Sequence, residues 1–164
     1  MKKPKLTVLA MDPAEDLSET TDVRTAFVSI TSPEGEEADL DESNPNVVGI
    51  FRMKFPDEDY GSPDSFEKPK AENFEGLAEF AEFVEKSDVD LLVVHCEAGI
   101  SRSAAVAAAL SERLGLGVDV WRERRFHPNL LVYKLACAEL GIGRTKEDLE
   151  RAFAVRKEVS MWEI

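Results

Sequence analysis

The stretch that most limits what this chain can fold into is Val89-Asp90-Leu91-Leu92-Val93-Val94-His95. It runs without a break into Cys96-Glu97-Ala98-Gly99-Ile100-Ser101 and then into the alanine-rich run Arg102–Leu114. Four consecutive aliphatic residues with little polar relief read as a strand buried on both faces, as in parallel sheets. The alanine-rich run, stopped by Gly115 and Gly117, reads as a helix. A buried strand feeding a loop and then a helix is the repeating unit of α/β sheets, and its loop lies where such sheets hold ligands.

The rest of the chain fits around that unit. Residues 6–11, 23–30 and 47–55 are rich in β-branched and aliphatic side chains and predict strands. Residues 12–22 read as a polar, acidic connection. Residues 31–45, with Ser32-Pro33, Gly35 and Asn44-Pro45, read as a mobile loop, and 56–69 is turn chemistry throughout. Phe74, Leu77, Ala78, Ala81 and Val84 form one apolar stripe and predict a helix over 72–86. A short helix is expected over 118–126. Another is expected over 128–140, with Pro128 in its first turn and Gly141 past its end. Thr145 and Asp148 have capping-box spacing and open a last helix to about Val159. No repeat or linker divides the chain. Residues 1–164 are therefore expected to form one α/β domain, a small, mostly parallel central sheet flanked by helices.

Charge narrows the function. The net charge is −13, with nine basic and 23 acidic side chains in residues 1–90 but 11 and ten in 91–164. Such acidity argues against nucleic acid and anionic membranes as partners. The near-neutral second half is where an anionic substrate is most easily held. Two cysteines, Cys96 and Cys137, make no disulfide framework and lack zinc-site spacing. No apolar run approaches the roughly 20 residues of a membrane span. The basic start, Lys2, Lys3 and Lys5, is not followed by a signal-peptide core. The expectation is a cytoplasmic monomer that needs no metal and no cofactor.

The loop 95–103 carries the chemistry. A thiol stands at the C-terminal end of a buried strand, and five residues separate it from an arginine that opens a helix. The backbone N–H groups of Glu97, Ala98, Gly99, Ile100 and Ser101 can curl around one centre, with Gly99 supplying an unusual dihedral. The helix N-terminus adds partial positive charge. Arg102 offers a planar two-pronged donor for two phosphate oxygens. The same field favours the thiolate of Cys96, a nucleophile aimed at a bound phosphorus.

His95, Cys96, Arg102 and Ser103 together resemble the signature His-Cys-x5-Arg-Ser/Thr of the cysteine-dependent protein tyrosine phosphatases. Gly99 also falls where that family has glycine. The cysteine at position 96 of 164 is similar to the placement in the small dual-specificity branch. His127-Pro128-Asn129 resembles a segment of compact bacterial and phage-type members. The resemblance is strongest over 47–140. It implies a cysteine phosphatase-like fold and a phosphate monoester hydrolase working through a phosphocysteine.

The resemblance also implies roles for single residues. The general acid is an aspartate on the loop after the preceding strand, where Asp57, Asp59 and Asp64 compete. Met53-Lys54-Phe55-Pro56-Asp57 fits the pattern best, so Asp57 is the choice. Ser103 would donate to the departing sulfur, the alternative being a plain first-turn serine. His95 would orient the loop, or simply fill the core. His127-Pro128-Asn129 reads as the cap of the next helix, and Asn129 either caps alone or also braces the loop. Arg122, Arg124 and Arg125, the densest basic cluster of the chain, read as a solvated face, the alternative being attraction of phosphorylated ligands. The loop has no lysine and carries Glu97, which opposes polyphosphorylated head groups. The expected partner is therefore a phosphorylated protein, phosphotyrosine first, or a small phosphate ester. Two other readings remain: a catalytically silent phosphoprotein-binding module, and a sulfurtransferase.

Overall fold

In the computed structural model, which describes residues 2–161, four strands make one sheet. They are β1 (Lys5–Leu9), β2 (Thr25–Thr31), β3 (Val47–Lys54) and β4 (Leu91–His95). Their order is β1-β4-β2-β3, and every neighbouring pair is parallel. The helices are α1 (Met11–Thr20), α2 (Leu77–Lys86), α3 (Arg102–Leu114), α4 (Leu130–Glu139) and α5 (Lys146–Met161). The sheet is thus wholly parallel rather than mostly so, and the α/β class is as expected.

Alternation along the central strands divides their side chains between two apolar layers. Val28, Ile30, Leu92 and Val94 join Leu77 and Val84 of α2, Leu110 of α3 and Val132 of α4. Phe27 and Val93 face the other way, onto Ala14 of α1 and Ala38 and Leu40 of the loop after β2. With both faces covered, all seven residues of β2 are buried. Alanines let α3 press close to the sheet, so that Ala104–Ala109 are buried in an unbroken run. Gly115, at φ 66°, ends that helix.

Several local expectations need correction. Residues 12–22 are not a connection: most of them form α1. Pro13 sits in the first turn, where a missing N–H costs nothing, and Asp12 matches the positive helix end. Only Ala14 and Ser18 of α1 are fully buried, so no apolar stripe announces it. The loop after β2 is packed rather than loose, since Ala38 and Leu40 belong to the core. The helix over 72–86 is broken. A 3-10 turn, Ala71–Phe74, precedes α2, and Gly76 between them takes a left-handed φ of 95°. A Cβ on Gly76 would come within 2.9 Å of the Phe51 ring. The helix over 118–126 shrinks to one 3-10 turn, Val120–Arg122. Pro128 lies before α4, because the side chain of Asn129 caps that helix by accepting the Val132 N–H at 3.0 Å. Thr145 and Asp148 do exchange the two capping bonds that open α5. No described helix is long and apolar enough to cross a membrane.

Candidate active site

The C-terminal ends of all four strands converge on one loop. β4 delivers Cys96, which is buried beneath residues 97–101. Ser103, in the first turn of α3, places Oγ 3.1 Å from Cys96 Sγ. The Gly99 N–H donates to the same sulfur at 3.3 Å. Among the described residues, the N–H groups of Glu97, Ala98, Ile100 and Ser101 meet no protein acceptor.

β1 supports the loop from one side. The Met11 N–H donates to the Glu97 carbonyl at 3.1 Å. Gly99, at φ 72°, lies so close to the end of β1 that a Cβ would stand 2.6 Å from the Ala10 nitrogen. Glycine is thus required here twice, for its dihedral and for the close backbone approach.

β2 and β3 hold the arginine. Arg102 is 4% exposed, and its Nη1 donates to Ser32 Oγ at 3.1 Å and to the Phe55 carbonyl at 3.0 Å. Its Nε is buried and has no hydrogen-bond partner. The Glu97 carboxylate stands 3.9 Å from Nη2, on the solvent side. One edge of the guanidinium is therefore fixed to the sheet and the other is available to an oxyanion. A buried charged donor left unpartnered costs free energy unless such a ligand satisfies it.

His95 is wholly buried beside Ser29, its register partner on β2. Its Nδ1 lies 3.1 Å from the Cys96 carbonyl and its Nε2 lies 2.7 Å from Ser29 Oγ. A carbonyl only accepts, so Nδ1 carries the proton and Ser29 donates to Nε2. Burial pushes the imidazole below its ordinary pKa, in keeping with the neutral ring.

The three aspartates after β3 part company. Asp57 Oδ1 accepts from Ser101 Oγ at 2.8 Å and from Asn129 Nδ2 at 3.0 Å. Both donors sit on Oδ1 and neither on Oδ2. Asp59 instead accepts the Leu130 and Leu131 N–H groups, each at 3.1 Å, at the N-terminus of α4. Asp64 is fully exposed and pairs with Lys68. Only Asp57 touches the loop around Cys96. Asn129 caps α4 and also grips Asp57 and the Glu58 carbonyl, so the two roles weighed for it coexist.

The chain is similar to three solved structures across nearly its whole length. Human DUSP28 shares 13% identity at a TM-score of 0.47, with 97% of this chain and 96% of that one covered. Tk-PTP in its active form shares 13% at 0.45, with 96% and 93% covered. PTPMT1 shares 18% at 0.43, with 97% and 94% covered. All three have folds of the cysteine-dependent tyrosine and dual-specificity phosphatase type. No protein-family model and no curated protein sequence matches the chain.

Sequence reading missed Ser29 and Ser32. A lone serine inside the apolar run Ala26-Phe27-Val28-Ser29-Ile30 was a signal for the first, because a buried hydroxyl needs a partner. Ser32 had only its place at a strand end. Cys137 lies in the core of α4, where burial raises its thiol to about 11. Arg122 and Arg125 are exposed and pair with Asp119 and Glu123.

Proposed function

We propose that the chain is a cysteine-dependent phosphatase that hydrolyses phosphate monoesters, phosphotyrosine in proteins foremost, as one domain. The observation that carries this reading is the buried Arg102 guanidinium, with Nε unpartnered in the same loop as a buried thiol.

The phosphoryl group sits in the loop, its oxygens taken by the backbone N–H groups and the free edge of Arg102. The Cys96 thiolate attacks phosphorus in line. The P–O bond to the leaving group breaks, and Asp57 Oδ2 gives its proton to the departing oxygen. Water then attacks the phosphocysteine, and Asp57, now a carboxylate, takes the water proton. The S–P bond breaks, and the Ser103 hydroxyl donates to the departing thiolate. Ser29 acts through His95, whose Nδ1–H fixes the Cys96 carbonyl and with it the start of the loop.

Charge around the mouth supports a singly phosphorylated residue over a polyphosphorylated head group. Glu97 stands over Arg102. A cleft beside Ser32 and Pro56 is lined by Glu34, Glu58 and Glu67, together with the exposed Phe66 ring. Several extra phosphates would meet several carboxylates there.

The test is turnover of an aryl phosphate and a phosphotyrosine peptide by wild type and Cys96→Ser. Wild type should release phosphate and give a phosphate adduct on Cys96 after rapid quenching. The variant should bind the peptide without turning it over, because the cradle is backbone and Arg102. Equal rates in the two proteins would overturn the proposal.

A further inference from the structure

Beside the acid loop lies an open cleft of about 470 Å³ between α4 and α5. Leu130 and Lys134 of α4 form one wall, and Lys146, Leu149 and Phe153 of α5 form the other. Their spacing puts each set on one helix face. Tyr60 closes the end nearest the acid loop. The cleft therefore starts three residues from Asp57, and Leu130 directly follows Asn129, which holds Asp57.

Two features distinguish this cleft from an ordinary helix groove. Tyr60 and Phe153 are 48% and 43% exposed, so two large rings face solvent across it. Lys134 and Lys146 face it from opposite walls, and among the described residues neither has a carboxylate within salt-bridge distance. Lys3, Lys5, Lys70 and Lys157 likewise have no such partner, but none of them lines this cleft. One carboxylate, Glu150, lies in the wall against these two cations. A second cleft, beside Ser32 and Pro56, carries Glu34, Glu58 and Glu67. An acidic side chain next to the phosphorylated residue is repelled by those carboxylates and attracted by the two lysines.

We infer that the α4–α5 cleft is a substrate subsite for the peptide next to the phosphorylated residue, and that it selects an acidic side chain adjacent to an apolar one. The inference rests on the phosphatase reading above. The acidic group lies between Lys134 and Lys146, and the apolar one packs on Leu149 and the two rings. Neither lysine touches the reacting phosphate, so both act on peptide binding alone.

The experiment compares two phosphotyrosine peptides of equal length, one flanked by Glu-Leu pairs on both sides and one by Gln-Ser pairs. Wild type and the double variant Lys134→Ala/Lys146→Ala are assayed on both, and on an aryl phosphate too small to reach the cleft. Both lysines are exposed at the surface, so folding should be unaffected, and Lys→Arg replacements should keep the preference. For wild type, kcat/KM should favour the Glu-Leu peptide by about three- to tenfold at low salt, with the difference in KM. The double variant should lose that preference and keep its aryl phosphate rate. Equal kcat/KM for the two peptides in wild type, with the aryl phosphate turned over, would overturn the subsite and leave the phosphatase standing. Binding of wild type, but not the variant, to phosphatidylserine vesicles with no peptide preference would overturn it in favour of a lipid surface. If no aryl phosphate is hydrolysed, the phosphatase reading fails. Fluorescence anisotropy with an unphosphorylated Glu-Leu peptide then decides the cleft, and equal binding to wild type and variant overturns it.

Discussion

Gly99→Ala tests how tightly the loop is built. Alanine at φ 72° carries a left-handed cost of about 1–2 kcal/mol. Its methyl group would also stand 2.6 Å from the Ala10 nitrogen, 2.7 Å from the Leu9 carbonyl carbon and 2.9 Å from the Leu9 oxygen. These are backbone atoms at the end of β1 and cannot rotate aside, so overpacking adds roughly 1–3 kcal/mol. Alanine also lowers the entropy of the unfolded chain, which returns about 0.4–1 kcal/mol. The net loss should be about 1–5 kcal/mol. Gly117→Ala is the control. Gly117 has nearly the same φ, 71°, and nothing within 4 Å of a Cβ. Its loss should be about 0–2 kcal/mol, the dihedral cost alone. Urea unfolding of the two variants with unchanged m-values isolates the clash. Turnover of an aryl phosphate at a temperature where both are folded should fall for Gly99→Ala only, because the loop must shift to relieve the contact. Stabilities within about 0.5 kcal/mol of each other would refute the close approach of the loop to β1.

Asp57→Asn should slow phosphotyrosine hydrolysis by about 10²–10⁴ while an activated nitrophenyl ester suffers far less, because only the poorer leaving group needs the proton. An Asp59→Asn variant that reproduced this pattern while Asp57→Asn did not would show the acid to be misassigned. His95 is held below its ordinary pKa by burial, so the unfolded chain takes up a proton that the folded chain refuses. Stability should therefore be full above the unfolded value of about 6.5 and decline as the pH falls below it, and His95→Gln should flatten that slope in urea titrations between roughly pH 7 and 5. Burial keeps the Cys137 thiol protonated at neutral pH, so iodoacetamide on the native protein should spare Cys137, as read by peptide mass mapping; prompt labelling of Cys137 would contradict its packing.

The unit β4–loop–α3 was legible because its signals are contiguous: an apolar run, a glycine in the turn and an alanine-rich run closed by Gly115. The cap at Thr145 and Asp148 and the stripe from Phe74 to Val84 were readable for the same reason, since each is complete within a few residues. Helix α1 escaped because it buries only Ala14 and Ser18, too little for a period to show. The break at Gly76 escaped because Phe74 and Leu77 are buried on either side of it and the apolar stripe runs on across the break. The choice among Asp57, Asp59 and Asp64 was beyond local reasoning. All three are aspartates in one polar turn, and what separates them is where α4 arrives, 71 and 72 residues later. Ser29 meets His95 and Ser32 meets Arg102 across 66 and 70 residues, and Gly99 meets Ala10 through the end of β1. By itself the sequence determined the residues of the loop and the local shape that a strand, a glycine and a helix impose on them. The tertiary structure alone decided which distant groups hold that loop, because those contacts follow from the strand order β1-β4-β2-β3, and side-chain periodicity along a strand says which face is buried but not which strand lies beside it.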